Sequence, residues 1–296
     1  MENRLDLTRD EFSKIIESEV GHGTDGVVFK YNKDYLIKLY RTNFFKEPSE
    51  IVKNAEMKIY DPNNKPRFVP IKENIRFYIS DENDKMKLSD EATIDRIVEK
   101  QKRVTKTELP KKLVYVDGKL VGVLLKKVKG IQVHKFMGAP FAYKKKVALA
   151  IIDAVKELLE NNIYHTDMSN SPYADTTYHK GDDLVKSHGH SHVLLNPLTM
   201  KVNIIDLDGK SAVYTDYIDK GFEEQAINDL SILIIEFLYG LDEKEYALFE
   251  STYLDENTLL RDALIERGID IEKADKIAKY GFESMEEIEE TVRRSK

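Results

Sequence analysis

The chain of 296 residues contains no cysteine. That excludes disulfides, a thiolate nucleophile and zinc sites built on thiolates. It has no apolar run of membrane-spanning length and no signal-peptide pattern, so a cytoplasmic protein without a membrane partner is expected. It has no basic excess either. The 46 lysines and arginines are outnumbered by 53 acids, the net charge is −7, and both signs are interspersed. This argues against a dedicated nucleic-acid partner. Repeats and low-complexity tracts are also missing. What remains is 41% hydrophobic and 33% charged, the composition of a soluble globular chain. The length suits one bilobal domain or two small ones.

Three of the glycines fall in one short run, Gly21-His22-Gly23-Thr24-Asp25-Gly26-Val27-Val28. Glycines let a hairpin approach a triphosphate closely, because no Cβ intrudes. The same spacing occurs in dinucleotide-binding folds, but there the third glycine opens a helix. Here Val27 to Tyr31 is β-branched and aromatic, so a strand follows. Asn32-Lys33-Asp34 turns into a second strand, Tyr35-Leu36-Ile37-Lys38-Leu39-Tyr40, with a lysine inside an apolar run. An ordinary glycine hairpin beside a snorkelling lysine is the bland alternative.

The rest of the chain weighs against that alternative. Val147, Ile151, Ala154, Val155, Leu158 and Leu159 recur at helix spacing. Ile163-Tyr164-His165-Thr166-Asp167 follows them. An apolar strand, Lys201 to Ile205, then ends on Asp206-Leu207-Asp208-Gly209, and Asn228 to Gly240 reads as a buried helix around Asp229.

In this order the motifs resemble the protein-kinase-like superfamily over roughly residues 12–240, in the manner of an atypical bacterial or viral serine/threonine kinase. The resemblance implies an α+β, bilobal fold: a small antiparallel sheet lobe over residues 1–129 and a mostly helical lobe over 130–296. It implies ATP and Mg²⁺ or Mn²⁺ as cofactors. Gly21, Gly23, Gly26 and Val28 then cover the nucleotide, with Leu125 as gatekeeper and Lys127 and Val128 at the hinge. Lys38 positions phosphates, Asp167 accepts the acceptor's hydroxyl proton and Asp206 binds metal. His165 supports the loop, and Asp229 steadies it. Two helices compete to supply the glutamate that pairs with Lys38. The helix read over Ser89–Val104 favours Glu99, and the one over Pro48–Tyr60 favours Glu56, with Glu99 preferred.

The chain also departs from the pattern. Thr166 replaces the arginine that usually receives a phosphorylated activation loop, so activation by that route is not expected. Pro172 stands five residues after Asp167, where asparagine is the usual second metal ligand. A polar insertion of roughly twenty residues follows. The apolar run resumes at Ser191-His192-Val193-Leu194-Leu195, which places His192 at the asparagine position; Asn170 is the competing ligand. Mg²⁺ prefers oxygen, and Mn²⁺ tolerates imidazole better. The insertion carries His179, His188 and His190 as well, and reads either as a solvated loop or as a metal site.

Elsewhere a helix is expected over Arg9–Glu19, and short strands at Arg67–Ile71 and Ile75–Ile79. Lys111–Val116 and Leu120–Leu125 are expected to pair through an Asp117-Gly118 turn. After Gly240 the pattern is helical, with a helix pair over Ile271–Lys296. The functional expectation is phosphoryl transfer from ATP to a hydroxyl, first on a protein serine or threonine. The alternatives are a small-molecule acceptor, as in aminoglycoside or choline kinases, and a nucleotide-binding scaffold without transfer.

Overall fold

The computed structural model describes residues 3–22, 26–40, 56–60, 66–70, 91–168, 177–180, 183–186, 192–208, 212–240 and 257–296. Over these the chain is α+β and two-lobed. The first lobe runs β1 (Arg4–Leu7), α1 (Arg9–Ile15), β2 (Glu19–His22), β3 (Gly26–Lys30), β4 (Tyr35–Tyr40), β5 (Glu56–Tyr60), β6 (Pro66–Pro70), α2 (Glu91–Glu99), β7 (Lys112–Val116) and β8 (Lys119–Lys126). Six of the strands form one sheet, in the order β1-β7-β8-β4-β3-β2. Its pairs are antiparallel except at one edge, where β1 runs parallel to β7.

Alternation along the strands sorts the two faces. Val27, Phe29, Ile37 and Leu39 join Phe12 and Ile15 of α1 in one core. Tyr40 and Val123 join Ile94 and Val98 of α2 in another. Lys38 lies between Ile37 and Leu39 and takes the second face, in register with Val28 on one side and Val123 on the other. The expected Asp117-Gly118 turn is a two-residue hairpin with φ of 51° and 76°, the left-handed pair that matches strand twist.

Two local expectations are corrected. The helix from Arg9 stops at Ile15, and Glu19 already opens β2. Thr8 starts that helix with a capping box to Glu11. The helix expected over Pro48–Tyr60 does not hold at its end, because Glu56–Tyr60 is a strand paired with Pro66–Pro70. Met57 and Ile59 alternate with Glu56 and Lys58, and that period of two outcompeted the helical spacing. Residues 48–55 and Ile75–Ile79 lie outside the described residues.

The second lobe continues with β9 (Ile131–Gln132), α3 (Phe141–Glu160), β10 (Ile163–His165), β11 (Thr177–Lys180), β12 (Asp183–Lys186), β13 (Val193–Asn196), β14 (Lys201–Ile204) and β15 (Ala212–Tyr214). It closes with α4 (Lys220–Ile234), α5 (Asn257–Glu266), α6 (Ile271–Tyr280) and α7 (Met285–Arg294). α3 buries Val147, Ile151, Ala154, Val155 and Leu158, as its spacing predicts. α4 starts earlier than the apolar run suggested. Asp219 caps it, accepting from the N–H groups of Gly221 and Phe222. The helix runs on as a π turn over Ile235–Tyr239 and stops at Gly240, whose φ is 80°. The core of this lobe also takes in Ile97, Val104 and Leu109, so α2 packs on both lobes and the segment after it on the second. Two paired strands, β11 and β12, lie within the insertion, which the sequence reads as a solvated loop or a metal site.

Candidate active site

One short hairpin, the loop after β10 and one helix position the site. β13 and β14 pair from Val193–Ile204 to Asn196–Lys201, so their open ends place His192 beside Ile205. The His192 carbonyl accepts from the Ile205 N–H at 2.8 Å, and the His192 N–H donates to the Met168 carbonyl at 3.2 Å. The loop after β10 is thereby tied to the end of β14. From below, the Asp229 carboxylate of α4 accepts the Met168 N–H.

His165 is fully committed. Its Nε2–H donates to the Ile205 carbonyl at 3.0 Å, and its Nδ1 accepts from the Asp167 N–H at 3.2 Å. Burial, reinforced by the neighbouring His192, pushes its pKa down to about 4. It is a neutral structural ring. His192 donates from Nδ1 to the Asp167 carbonyl, which fixes the lone pair on Nε2. The same Nδ1 is 3.9 Å from the Asp167 carboxylate. That carboxylate is 38% exposed, open enough for a solvent-borne group to reach it.

Across from this loop, Lys38 of β4 enters from the sheet lobe. Its Nζ pairs with Asp206 and, at 3.2 Å, with Asp208. Asp206 has φ of 65°, a left-handed backbone that aspartate tolerates better than most residues. Asp208 is buried to 1% exposure, and Tyr40 Oη donates to its carbonyl at 2.9 Å. Its Oδ2 has no hydrogen-bond partner among the described residues. One ammonium thus faces two carboxylates, one buried and one partly exposed. Burial opposes charge on Lys38, but Asp208 and then Asp206 outweigh it, so its pKa is raised. Burial likewise opposes charge on Asp206, but the Lys38 charge overrides it and lowers that pKa. Asp208 is raised, by burial first and against the pull of Lys38, with the Asp206 charge adding to the rise.

The donor set fits a hard divalent cation. Asp206 offers carboxylate oxygens that already face a cation, the Lys38 ammonium. Among the described residues no group of three His, Asp or Glu side chains could hold a metal by itself. Mg²⁺ needs no such cage, since one or two carboxylates with phosphate and water suffice.

The other expected residues divide. Val28 and Leu125 are half-buried on the strand face that carries Lys38. Lys127 is exposed, and its N–H donates to the Asp34 carbonyl at 2.8 Å; Val128 is half-buried. A Cβ on Gly26 would lie 2.4 Å from the Leu39 carbonyl oxygen, so this glycine serves strand approach. Gly122, which the sequence did not mark, does the same against the Lys38 carbonyl at 2.0 Å. Gly21 has open space around it. Gly23, Asn170, His188 and His190 lie outside the described residues, as do the side chains of Glu56 and His179.

Glu99 is the clear correction. It does not pair with Lys38. Its carboxylate takes Arg96 at 3.1 Å, is 45% exposed, and lines a groove with Arg4 and Tyr115. The face of α2 that turns inward is apolar, Ile94, Ile97 and Val98. Three residues were missed: Asp208, Tyr40 and Thr107. For Asp208 a signal existed, an acid in an apolar setting where the resembled family has glycine. For Tyr40 it was the same-face spacing from Lys38. Thr107 carried none.

The two lobes and their α+β composition agree with the fold class that the sequence resemblance implies. Neither a family model nor a curated protein matches the sequence. Among solved structures the chain is similar to Rad53 1-466 in complex with AMP-PNP, at 12% identity and a TM-score of 0.48, covering 95% of this chain. It spans 64% of that Rad53 chain. It is also similar to the Cydia pomonella granulovirus kinase PK-1, at 13% identity and a TM-score of 0.44, covering 94% of each chain. Among the described residues no helix is long and apolar enough to cross a membrane.

Proposed function

We propose that the chain transfers the γ-phosphoryl group of ATP to a hydroxyl, with a protein serine or threonine as the first choice of acceptor. The observation that carries the reading is the ion pair between Lys38 of the sheet lobe and Asp206 at the end of β14, with Asp167 on the loop tied alongside. Phosphoryl transfer asks chiefly for positioning and charge neutralisation. A divalent metal held by Asp206, with His192 Nε2 or Asn170 as second ligand, would supply neutralisation of the phosphate oxygens. Lys38, which pairs with Asp206, would bind phosphate oxygens as well. Val28 and Leu125 give apolar contact for the adenine beside it. Asp167 takes the acceptor's proton at its carboxylate. His192 orients Asp167 through the carbonyl bond, and Asp229 holds the loop by the Met168 N–H. His165 moves no proton, because both its nitrogens serve the backbone.

The test is incubation with γ-labelled ATP and Mg²⁺ or Mn²⁺, with and without a generic protein acceptor. Label in the chain or the acceptor supports the reading. Metal-dependent binding without transfer to protein moves the assignment to a small-molecule acceptor or a scaffold, and absence of ATP binding removes it. The scaffold reading is supported by the missing asparagine, with Pro172 five residues after Asp167, and by the insertion that interrupts the catalytic loop.

A further inference from the structure

We infer that Asp208 is the positioning residue for Lys38, the role that Glu99 or Glu56 was expected to fill. This rests on the phosphotransfer reading above. The acids of α2 are all engaged elsewhere. Glu91 accepts from Tyr115 Oη, Asp95 accepts from Asn3 Nδ2 at 3.2 Å, and Glu99 pairs with Arg96. None of the three pairs with Lys38, whose carboxylate partners among the described residues are Asp206 and Asp208.

The two partners are not equivalent. Asp206 is 21% exposed, and under the phosphotransfer reading its carboxylate would hold the metal. Asp208 is 1% exposed and keeps its Oδ1 on Lys38 at 3.2 Å. It is also gripped twice by the same face of β4. Lys38 holds its side chain, and Tyr40, two residues on, donates to its carbonyl. The anchor of the phosphate-binding lysine thus lies two residues from the metal-binding aspartate, on one segment. Lys38 placement then follows that segment and not the position of α2.

The experiment compares Asp208→Asn with Glu99→Gln and Glu56→Gln. Asp208→Asn should raise the KM for ATP about tenfold or more, since a buried bond to a charged group is lost. The two glutamate variants should stay within about twofold. Mere structural damage would lower kcat by reducing active protein and leave KM alone. A second readout needs no nucleotide: the loss of melting temperature caused by Asp208→Asn should shrink in a Lys38→Met background. If Asp208→Asn fails to fold, Tyr40→Phe replaces it and should raise KM in the same direction. A KM effect in Glu99→Gln or Glu56→Gln without one in Asp208→Asn overturns the inference, as does an unchanged melting loss in the Lys38→Met background. If Asp208 and Lys38 are thermally coupled but the wild-type protein binds no ATP, the phosphotransfer reading falls and only the structural pairing of Asp208 with Lys38 stands.

Discussion

Thr107 and Ile204 form a closed pair of hydrogen bonds: Thr107 Oγ1 donates to the Ile204 carbonyl at 3.0 Å and accepts the Ile204 N–H at 2.8 Å. Both groups are buried. The pair fastens the segment after α2 to the last residue of β14, two positions before Asp206. Thr107→Val keeps the shape but leaves an N–H and a carbonyl without their partner. The expected cost is about 2–4 kcal/mol of stability, read as a shift of the denaturation midpoint. Thr107→Ser keeps the hydroxyl and should lose far less. Equal losses in the two variants would mean that the methyl group, not the bonds, matters.

Lys38 and Asp206 should control transfer while the fold persists. Lys38→Met and Asp206→Ala are each expected to lower the transfer rate by about 10²-fold or more, with unchanged circular dichroism. Removing divalent metal by chelation should have the same effect on wild type. Part of the nucleotide affinity should survive Lys38→Met, because on the proposed reading Val28 and Leu125 would make separate apolar contacts. Unchanged rates in both variants would end the phosphotransfer reading.

How far the sequence led is visible at these same residues. Lys38 was legible because a charged residue inside an alternating apolar strand has one face available, and the ordered motifs around His165, Asp206 and Asp229 supplied its opposite wall. The partner of Lys38 was not legible. Helical spacing tells which side of α2 is buried, but not that Glu91 and Asp95 are bound by Tyr115 and Asn3, which are distant in sequence. The Glu56–Tyr60 strand was misread because a short amphipathic run satisfies both periods. Thr107 gave no signal, since a polar residue in a connecting segment looks the same whether solvated or bonded to a strand end.

His165 should make the metal-free protein sensitive to acid. Its folded pKa is pushed down to about 4, by burial and then by His192, whereas an unfolded histidine titrates near 6.5. As the pH falls, the unfolded chain takes up the proton first. The stability is therefore complete above about 6.5 and is lost progressively toward 4, by about 3 kcal/mol over the full window. Denaturant midpoints between pH 7.5 and 4.5 should show that slope. His165→Gln, which cannot titrate, should flatten it; identical slopes would assign the acid loss to other groups.

His192 should decide which metal the site uses. Its backbone joins Met168 to Ile205, its Nδ1–H is held by the Asp167 carbonyl, and its Nε2 keeps a lone pair. As a metal ligand it would favour Mn²⁺ over Mg²⁺. His192→Ala should then weaken transfer by about 10- to 100-fold and reduce the preference for Mn²⁺, whereas His192→Asn should restore good use of Mg²⁺. Transfer rates across a concentration series of each metal give the readout. Asn170→Ala is the competing test. If it is the damaging change and His192→Ala is neutral, Asn170 serves the metal before the insertion begins, and the bond from His192 to Asp167 is purely structural. If neither change matters, the site works with Asp206 as its one protein ligand, and the preference between Mn²⁺ and Mg²⁺ should be the same in all three variants.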